Sequence, residues 1–366
     1  MSWPAFDVQS WLQANPPAAC DDAQLSQPVR HGKGWTKRNN RIEHGDCSGL
    51  QSLKLPPCPI DLNRGIENFV PNSPDSPIGV EIVIEAILKS GTEVHDGGVI
   101  TFRNNLNKIF GTVFQMNSGW TVDGIRLSTQ QKEIILLDIV NKPSTETKFD
   151  INTIYGYQFE ANCCGQGIAD ATKEYGMLSS TKIFRRSAKA SGLHLYIGAE
   201  IDAYEDAGPI SQTCDEQSEP PPVECLRELK TFRKPAHPGQ KRTLYGLKYP
   251  KWWLQSYLVG VPSLILGARN EDGIVEEILS IKTLELPRTS WNHGMLWSPT
   301  QALAFGLDVL TWMKGIVTDH SLGRVRHFRF EYKPELCMIC VSEIQGEGLI
   351  ARVQGALWSP RVAPMG

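Results

Sequence analysis

Two short stretches, Gly198-Ala-Glu-Ile-Asp202 and Arg227-Glu-Leu-Lys230, decide how this chain is expected to fold. Each predicts a β-strand that places two polar side chains, at positions i and i+2, on one face of a sheet. Glu200 and Asp202 alternate with apolar residues expected to enter a core, namely Leu193, Leu195, Ile197, Ala199 and Ile201. Glu228 and Lys230 flank Leu229 in the same way. Neighbouring strands of this kind bring three carboxylates and an ammonium together, which suits a hard divalent cation and phosphodiester hydrolysis.

The length and composition indicate a globular protein with a large core. The chain has 366 residues, of which 41% are hydrophobic and 21% charged. It lacks an apolar run of the roughly 18 residues that a membrane span requires, and its N-terminus lacks a signal-peptide layout. Nine irregularly spaced cysteines favour free thiols in a reducing compartment. The pairs Cys163-Cys164 and Cys337…Cys340 have no partners at zinc-finger spacing, so zinc is not expected.

The charges are distributed unevenly, although the net charge is only −3. The stretch 200–224 contains eight acidic and no basic residues, whereas 226–251 contains eight Lys or Arg and only Glu228 as an acid. A metal site held beside a bound polyanion would have this pattern. Two solvated surface stretches would have it as well, and the charges alone do not separate the two interpretations.

The order of predicted elements indicates an α+β fold, a single domain of two mostly mixed or antiparallel sheets with flanking helices. We expect residues 1–59 to form an irregular lead-in, 60–345 the main domain and 346–366 a C-terminal tail. Residues 203–224 are acidic and Pro-rich and predict an exposed loop. A helix is predicted from Ser76-Pro77 to Gly91, and a second from Ser298-Pro299 to about Val317. A short helix is predicted to carry Trp252, Trp253, Gln255 and Leu258 and to end at Gly260 and Pro262. Other apolar runs predict strands, including Tyr155 to Glu160 and Ser263 to Arg269.

Two further polar residues leave alternatives open. Arg103 lies in otherwise apolar sequence, where an unpaired guanidinium would be costly. It either pairs with a carboxylate, which the residues alone favour, or points into a cleft to bind phosphate. Glu160 follows the aromatic residues Tyr157 and Phe159, and taken singly it is a surface carboxylate.

Together these stretches resemble the decapping exonuclease (DXO) family within the PD-(D/E)xK nuclease superfamily, over about residues 61–342. The matching motifs are Arg103, Gly156-Tyr-Gln-Phe-Glu160, Glu200-Ile-Asp202, Glu228-Leu-Lys230, Trp252 to Ser256, Gly260-Val-Pro262 and Gly267-Ala-Arg269. Two of them depart from the family pattern. Phe102-Arg103-Asn104 replaces the usual Trp-Arg-Gly, and Gly267-Ala268-Arg269 replaces the commoner Gly-Phe-Arg. Neither departure removes an expected metal ligand or the lysine.

The resemblance implies a PD-(D/E)xK-like core and a role for each matched residue. Glu160, Asp202, Glu228 and the main-chain carbonyl of Leu229 are expected to bind Mg²⁺ or Mn²⁺ in a two-ion site, with Glu200 helping to hold the second ion and the attacking water. Lys230 would orient or help to deprotonate that water. Gln255 would hydrogen-bond the water or the scissile phosphate, and Arg103 would bind a phosphate at the RNA 5′ end.

The implied function is hydrolysis at an RNA 5′ end. The group removed would be an unmethylated guanosine cap, a pyrophosphate, a nicotinamide-dinucleotide cap or a 5′-hydroxyl dinucleotide, and 5′-to-3′ exoribonuclease activity could follow. One alternative is a partner subunit that binds and stabilises a nuclear 5′-to-3′ exoribonuclease. Another is a DNA exonuclease with the same metal chemistry, which the Trp-Gln segment and the first motif disfavour. We expect a monomer when the chain is alone, with the nucleus favoured over the cytoplasm by resemblance.

Overall fold

The structure is a computed structural model that describes residues 3–39, 41–72, 79–128, 132–140, 150–206, 219–320, 325–345 and 348–358. Its α-helices are α1 Val8–Ala14, α2 Val80–Ser90, α3 Arg103–Gly111, α4 Ile151–Cys163, α5 Pro238–Thr243, α6 Tyr249–Tyr257, α7 Leu286–Asn292, α8 Pro299–His320 and α9 Gly348–Trp358. Its strands are β1 Phe6–Asp7, β2 Ala23–Leu25, β3 Val29–Arg38, β4 Arg41–His44, β5 Gln51–Ser52, β6 Ile60–Asp61, β7 Val99–Phe102, β8 Trp120–Ser128, β9 Glu133–Ile139, β10 Lys173–Arg185, β11 Leu193–Ile201, β12 Ala203–Tyr204, β13 Leu226–Arg233, β14 Ser263–Arg269, β15 Ile274–Lys282, β16 His327–Lys333 and β17 Met338–Glu343.

The strands form two mixed sheets, which confirms the predicted fold class. The larger sheet has 11 strands in the order β1-β17-β16-β8-β9-β7-β11-β10-β3-β4, with β2 added on β10. The smaller sheet has six strands in the order β5-β12-β13-β14-β15-β6. Most neighbours are antiparallel, whereas β7 runs parallel to both β9 and β11, β13 runs parallel to β14, and β12 runs parallel to β5. Helices α3, α6 and α8 cover the largest apolar cluster.

The two stretches that open the sequence argument meet where the sheets join. Strand β11 belongs to the larger sheet, and only Asp202 separates it from β12 in the smaller sheet. Strand β13 pairs with β12 through Arg227 and Leu226 and then continues past its end. All five apolar residues predicted to face the core from β11 are buried, as the alternation requires. Glu200 and Asp202 therefore stand at the junction, next to Glu228 and Lys230.

The predicted strand from Tyr155 to Glu160 is wrong, because these residues lie in helix α4. The alternation of aromatic and polar residues imitates a strand, but Tyr155, Phe159 and Cys163 share one apolar cluster at the i, i+4, i+8 spacing of a helix face. This face packs on β13 and β14 of the smaller sheet. A Cβ atom on Gly267 would lie 2.6 Å from the Phe159 ring, so the glycine allows the helix to approach.

Both chain ends are more regular than expected. In the predicted lead-in, β3 is a ten-residue strand that pairs with β10, and α1 begins at an Asp7 cap. The sequence pattern does not predict this strand, because β3 is rich in glycine and polar residues and shows little alternation of apolar and polar residues. In the predicted tail, α9 packs Leu349 and Val353 against the apolar cluster around α2. The irregular lead-in and the tail are therefore corrected to paired strands and a packed helix, while the domain limits stay a prediction.

Other predicted ends agree with the structure. Helix α2 ends at Gly91, which has a left-handed φ of 65°, and Ser298 caps α8 by accepting from the Gln301 amide at 3.1 Å. Strand β14 has the predicted limits. The expected cap at Ser76-Pro77 lies outside the described residues, as does most of the predicted 203–224 loop. The start of that loop is wrong, because Ala203 and Tyr204 form the buried strand β12.

Candidate active site

Glu228 is the most deeply buried carboxylate of the site, and cations hold it from two sides. Its side chain has no exposed area, and one oxygen lies 3.1 Å from the Arg103 Nη1 atom. The other oxygen lies 2.7 Å from Lys230 Nζ and accepts from the Gln255 side-chain amide. Burial alone would raise the pKa of Glu228, but Arg103 and Lys230 hold it below the usual range. Glu228 is therefore ionised at neutral pH.

Asp202 links the two sheets through one oxygen atom. This oxygen accepts from the Leu229 backbone amide at 2.7 Å and from Lys230 Nζ at 3.1 Å. In an extended strand the N–H and C=O of one residue point to the same side, so the Leu229 carbonyl also faces Asp202. The pairing of β12 with β13 has already ended at Arg227, so β12 does not occupy this carbonyl. The Leu229 carbonyl thus lies on the edge of β13 that faces Asp202.

Glu160 and Glu200 complete the predicted carboxylates, and both have raised pKa values. Burial raises the pKa of Glu160 well above its usual range, and the nearby Asp202 raises it further. The Glu200 carboxylate touches solvent inside the cleft, but the surrounding protein and the charges of Glu174 and Asp202 raise its pKa to about 8. Burial and the charge of Glu228 likewise raise the pKa of Asp202. The site therefore gathers more negative charge than its own cations balance.

The donor chemistry fits a hard divalent cation. Glu160, Asp202, Glu228 and the Leu229 carbonyl offer oxygen atoms only, which Mg²⁺ and Mn²⁺ prefer. Among the described residues, no three His, Cys, Asp or Glu side chains stand close enough together to hold an ion as they are. Lys230 and Arg103 instead contact the oxygens of Asp202 and Glu228. The chemistry and charge of the ligand set fit a metal, while its present arrangement is an ion-paired one.

Lys230 is held as an ammonium. Burial alone would lower the pKa of Lys230, but Asp202 and Glu228 raise it far above its usual range. An ammonium can orient water or stabilise negative charge, whereas removing a proton requires the neutral amine. The ion-paired arrangement therefore favours the first of the two roles that the sequence interpretation gave to Lys230.

Arg103 makes the carboxylate pair that the residues alone favoured, and it also borders a cleft. Besides pairing with Glu228, it donates to the backbone carbonyls of Gln255 at 3.1 Å and Glu200 at 2.8 Å. It also lines a cavity of about 460 Å³ beside the carboxylates, together with Glu200 and Gln255. We call this space the catalytic cavity. Phe102 therefore ends β7, and Arg103 is the first residue of α3. The Arg103 guanidinium is buried at the wall of the catalytic cavity, where it supports Glu228.

Lys37 and Glu174 are two site residues that sequence reasoning did not identify. They lie directly opposite each other on β3 and β10, 3.0 Å apart, and Asn72 hydrogen-bonds both. All three line the catalytic cavity. The basic stretch from Lys33 to Arg41 was visible in the sequence as a charge cluster only. Placing Lys37 in the site requires the register of β3 on β10, for which the sequence carried no signal.

The fold and this cluster define a class of protein, a nuclease built on a carboxylate-lysine centre at the junction of two sheets. The family model for RAI1-like PD-(D/E)XK nucleases matches residues 26–354. The chain therefore belongs to the RAI1-like PD-(D/E)XK nuclease family, which confirms the resemblance given by the motifs.

Named relatives and a solved structure agree with this assignment. The chain is 24% identical over 312 residues to the rat decapping and exoribonuclease protein, covering 80% of this chain and 75% of the relative. It is 25% identical over 344 residues to the Aspergillus fumigatus decapping nuclease RAI1, covering 88% and 90%. The structure of Candida albicans Rai1 in complex with pU5-Mn²⁺ superposes with a TM-score of 0.69, at 19% identity, covering 93% of this chain and 95% of that one. None of the described helices is long and apolar enough to cross a membrane.

Proposed function

We propose that this protein is a divalent-metal-dependent hydrolase that removes incomplete or non-canonical caps from RNA 5′ ends. The observation that carries the proposal is the meeting of Glu200-Ile-Asp202 with Glu228-Leu-Lys230 beside the catalytic cavity, which Glu200 lines. Family membership gives the nuclease chemistry, and the names of the rat and Aspergillus relatives support decapping as the reaction. The Candida complex supports RNA as the substrate and a divalent ion as the cofactor.

The ligands that we assign are Glu160, Asp202, Glu228 and the Leu229 carbonyl, with Glu200 assisting a second Mg²⁺ or Mn²⁺. When bound, such ions supply positive charge at the attacking and leaving oxygens of the phosphodiester. The raised pKa values of Glu160 and Asp202 support the assignment, because mutual repulsion among carboxylates is what a cation relieves. Binding of the metal ion would also free Asp202 and Glu228 from part of their contact with Lys230.

Three other side chains handle the phosphate and the water. Lys230, as an ammonium, orients the water and stabilises the negative charge that develops on the phosphoryl oxygens. Gln255 reaches the same region from α6 through its hydrogen bond to Glu228. Arg103 places a positive charge at the wall of the catalytic cavity and contributes to binding of the 5′-terminal phosphate.

A panel of RNAs with different 5′ ends tests this function directly. The purified protein is given one RNA body carrying an unmethylated guanosine cap, a triphosphate, a nicotinamide-dinucleotide cap or a 5′-hydroxyl, with Mg²⁺ or Mn²⁺. We expect release of the 5′ group from at least one substrate and none in EDTA. Shortening of the remaining RNA from its 5′ end would show that exoribonuclease activity follows decapping.

Conservative variants tie the activity to the site. We expect Glu228→Gln and Asp202→Asn to lower the rate at least 100-fold, because each removes a proposed metal-binding charge. Glu277→Gln is the matched control, since that carboxylate is exposed on β15. Wild-type rates in either site variant, or rapid cleavage of duplex DNA ends without RNA cleavage, would contradict the proposal.

The partner and the compartment follow from resemblance alone. We propose that the chain is a monomer by itself, acts in the nucleus and can bind a nuclear 5′-to-3′ exoribonuclease. Co-purification from nuclear extract with such an enzyme, at a fixed ratio, would support binding. A monomer of unchanged mass in the presence of the purified exoribonuclease would contradict it.

A further inference from the structure

A second cavity, of about 220 Å³, adjoins the catalytic cavity. We call it the side cavity. Helix α3 and the chain that follows it to Trp120 form most of its wall, and Lys251 from α6 contributes to it. Asn104, Asn107 and Lys251 line both cavities, so a chain held at the carboxylates can continue into the second space.

The side cavity has the opposite electrostatic character to the metal-binding centre. Lys108 and Lys251 line it, and none of the described residues at its wall is a carboxylate. Within the described part of the chain, neither lysine forms an ion pair. Burial lowers the pKa of Lys108, as expected for an ammonium partly removed from water without a counter-charge. Two unbalanced cations in a concave space favour an anion such as a phosphodiester.

The neutral residues of the side cavity suit a nucleobase. Asn104, Asn107 and Gln115 provide amide groups, and the Oδ1 atom of Asn107 is buried without a hydrogen-bond partner. An unsatisfied buried acceptor is costly unless a ligand or water donates to it. The Trp120 indole N–H is already bonded to Thr112 at 2.9 Å, which fixes the ring in the wall. Amide groups of this kind read base edges.

We propose that the side cavity is a nucleotide subsite that holds the unit adjoining the scissile phosphate. Lys108 and Lys251 contact its phosphate, and the amides of Asn104 and Asn107 contact its base. The inference rests on the proposed function, since it supplies the binding site for a neighbouring unit of the same RNA. That unit is either the departing 5′ nucleotide or the first nucleotides of the RNA body, and both have the chemistry described. Asn104 occupies the third position of the Phe-Arg-Asn departure, at the passage between the cavities.

Binding of short RNA tests the subsite without requiring cleavage. Affinity for 5′-phosphorylated oligouridylates of one to six nucleotides is measured in EDTA over a range of salt concentrations. The variants are Lys108→Met, Lys251→Met and their combination. Lys89→Met is the matched control, because that lysine is exposed on α2 and lines neither cavity. We expect the double variant to bind the longer oligonucleotides roughly tenfold more weakly, with a salt slope reduced by about 1.4, as the loss of two phosphate contacts to a single strand requires.

A charge-preserving variant guards against misfolding. Lys108→Arg should recover most of the affinity, while Asn107→Asp should weaken binding by placing a negative charge at the base. An unchanged affinity and salt slope in the double lysine variant overturn the proposal. A loss that is equal in the Lys89→Met control overturns it as well.

Cleavage then separates the two sources of the nucleotide. Substrates with one departing group and RNA bodies of increasing length are compared with substrates of one body and different departing nucleotides. If the cleavage rate of the double variant no longer rises with the length of the RNA body, the subsite holds the body. If the double variant no longer discriminates between departing nucleotides, the subsite holds the 5′ unit. If the double variant keeps both the dependence on body length and the discrimination of departing nucleotides, the subsite proposal is overturned. If the wild type cleaves none of these RNAs, the proposed function fails, and the binding experiment still decides whether the subsite exists.

Discussion

Replacing Arg103 by methionine should destabilise the protein as well as reduce its activity. Methionine keeps much of the side-chain length but removes the charge and the donors. Glu228, which is fully buried, then loses the guanidinium 3.1 Å away, and the carbonyls of Glu200 and Gln255 lose their donor. A residue that served only to bind RNA phosphate would leave the free energy of unfolding unchanged.

The contacts allow the size of the effect to be worked out. Removing one partner of a buried ion pair costs about 3–5 kcal/mol, because the other charge is left uncompensated. Glu228 retains Lys230 at 2.7 Å and the Gln255 amide, so it is not left alone. The two carbonyls lie at the wall of a cavity that water can enter. We therefore expect a loss at or just below the lower end of that range, about 2–3 kcal/mol in the free energy of unfolding.

Urea unfolding of a double-mutant cycle measures this loss. The cycle comprises Arg103→Met, Glu228→Gln and the double variant, and the coupling between the two residues should exceed about 1 kcal/mol. Lys234→Met is the control, since its pair with Glu276 is exposed at both ends and should contribute less than about 0.5 kcal/mol. If Arg103→Met is as stable as wild type and shows no coupling, the guanidinium does not support Glu228.

Three further predictions concern the support of the site, pH and metal. Gly267→Ala should destabilise the protein by about 1–3 kcal/mol and lower its activity, because the new Cβ would lie 2.6 Å from the Phe159 ring and move α4. Adding Phe159→Leu should restore part of the stability and part of the activity, measured by urea unfolding and RNA cleavage. Burial would raise the pKa of Asp123, but Arg329 and His327 hold it below its usual value. The stabilisation from Asp123 is therefore present above the unfolded pKa of about 3.9 and is lost as pH falls through the lower folded value. The stability difference between the wild type and Asp123→Asn should therefore shrink below about pH 4, and a difference that grows there would contradict the prediction. Mg²⁺ or Mn²⁺ at about 100 times its Kd should stabilise the wild type against unfolding by about 2.7 kcal/mol in calorimetry, and Asp202→Asn by much less. Equal stabilisation of the wild type and the variant would place the ion elsewhere.

The part of the site predicted from sequence is the part that local alternation determines. Strands β11 and β13 each place two polar side chains at i and i+2, and this spacing survives any arrangement of neighbouring strands. Glu160 was found by motif, but its element was assigned wrongly, because two aromatic residues at i and i+2 imitate a strand. The helix signal was present in the spacing of Tyr155, Phe159 and Cys163.

Lys37 and Glu174 could not be predicted for a different reason. Their pairing depends on the register between β3 and β10, which are separated by more than a hundred residues in the chain. Glu174 precedes Tyr175 and Gly176, which are both buried, so the local pattern does not show which face it occupies. A register of this kind follows from the packing of the whole sheet.

These two residues change the charge balance of the site. Counting Glu174, five carboxylates surround the junction of the sheets, the others being Glu160, Glu200, Asp202 and Glu228, and they face three cations, Lys37, Arg103 and Lys230. If all were ionised, two negative charges would remain, which is the charge of one divalent ion. In the ion-paired arrangement burial raises the pKa values of Glu160, Glu200 and Asp202, and the excess negative charge raises them further. A second divalent ion would leave the site with two positive charges. Its binding therefore requires the phosphates of the RNA as counter-charge. Occupation of a two-ion site should therefore depend on bound substrate, with the first ion held by the protein and the second by protein and RNA together.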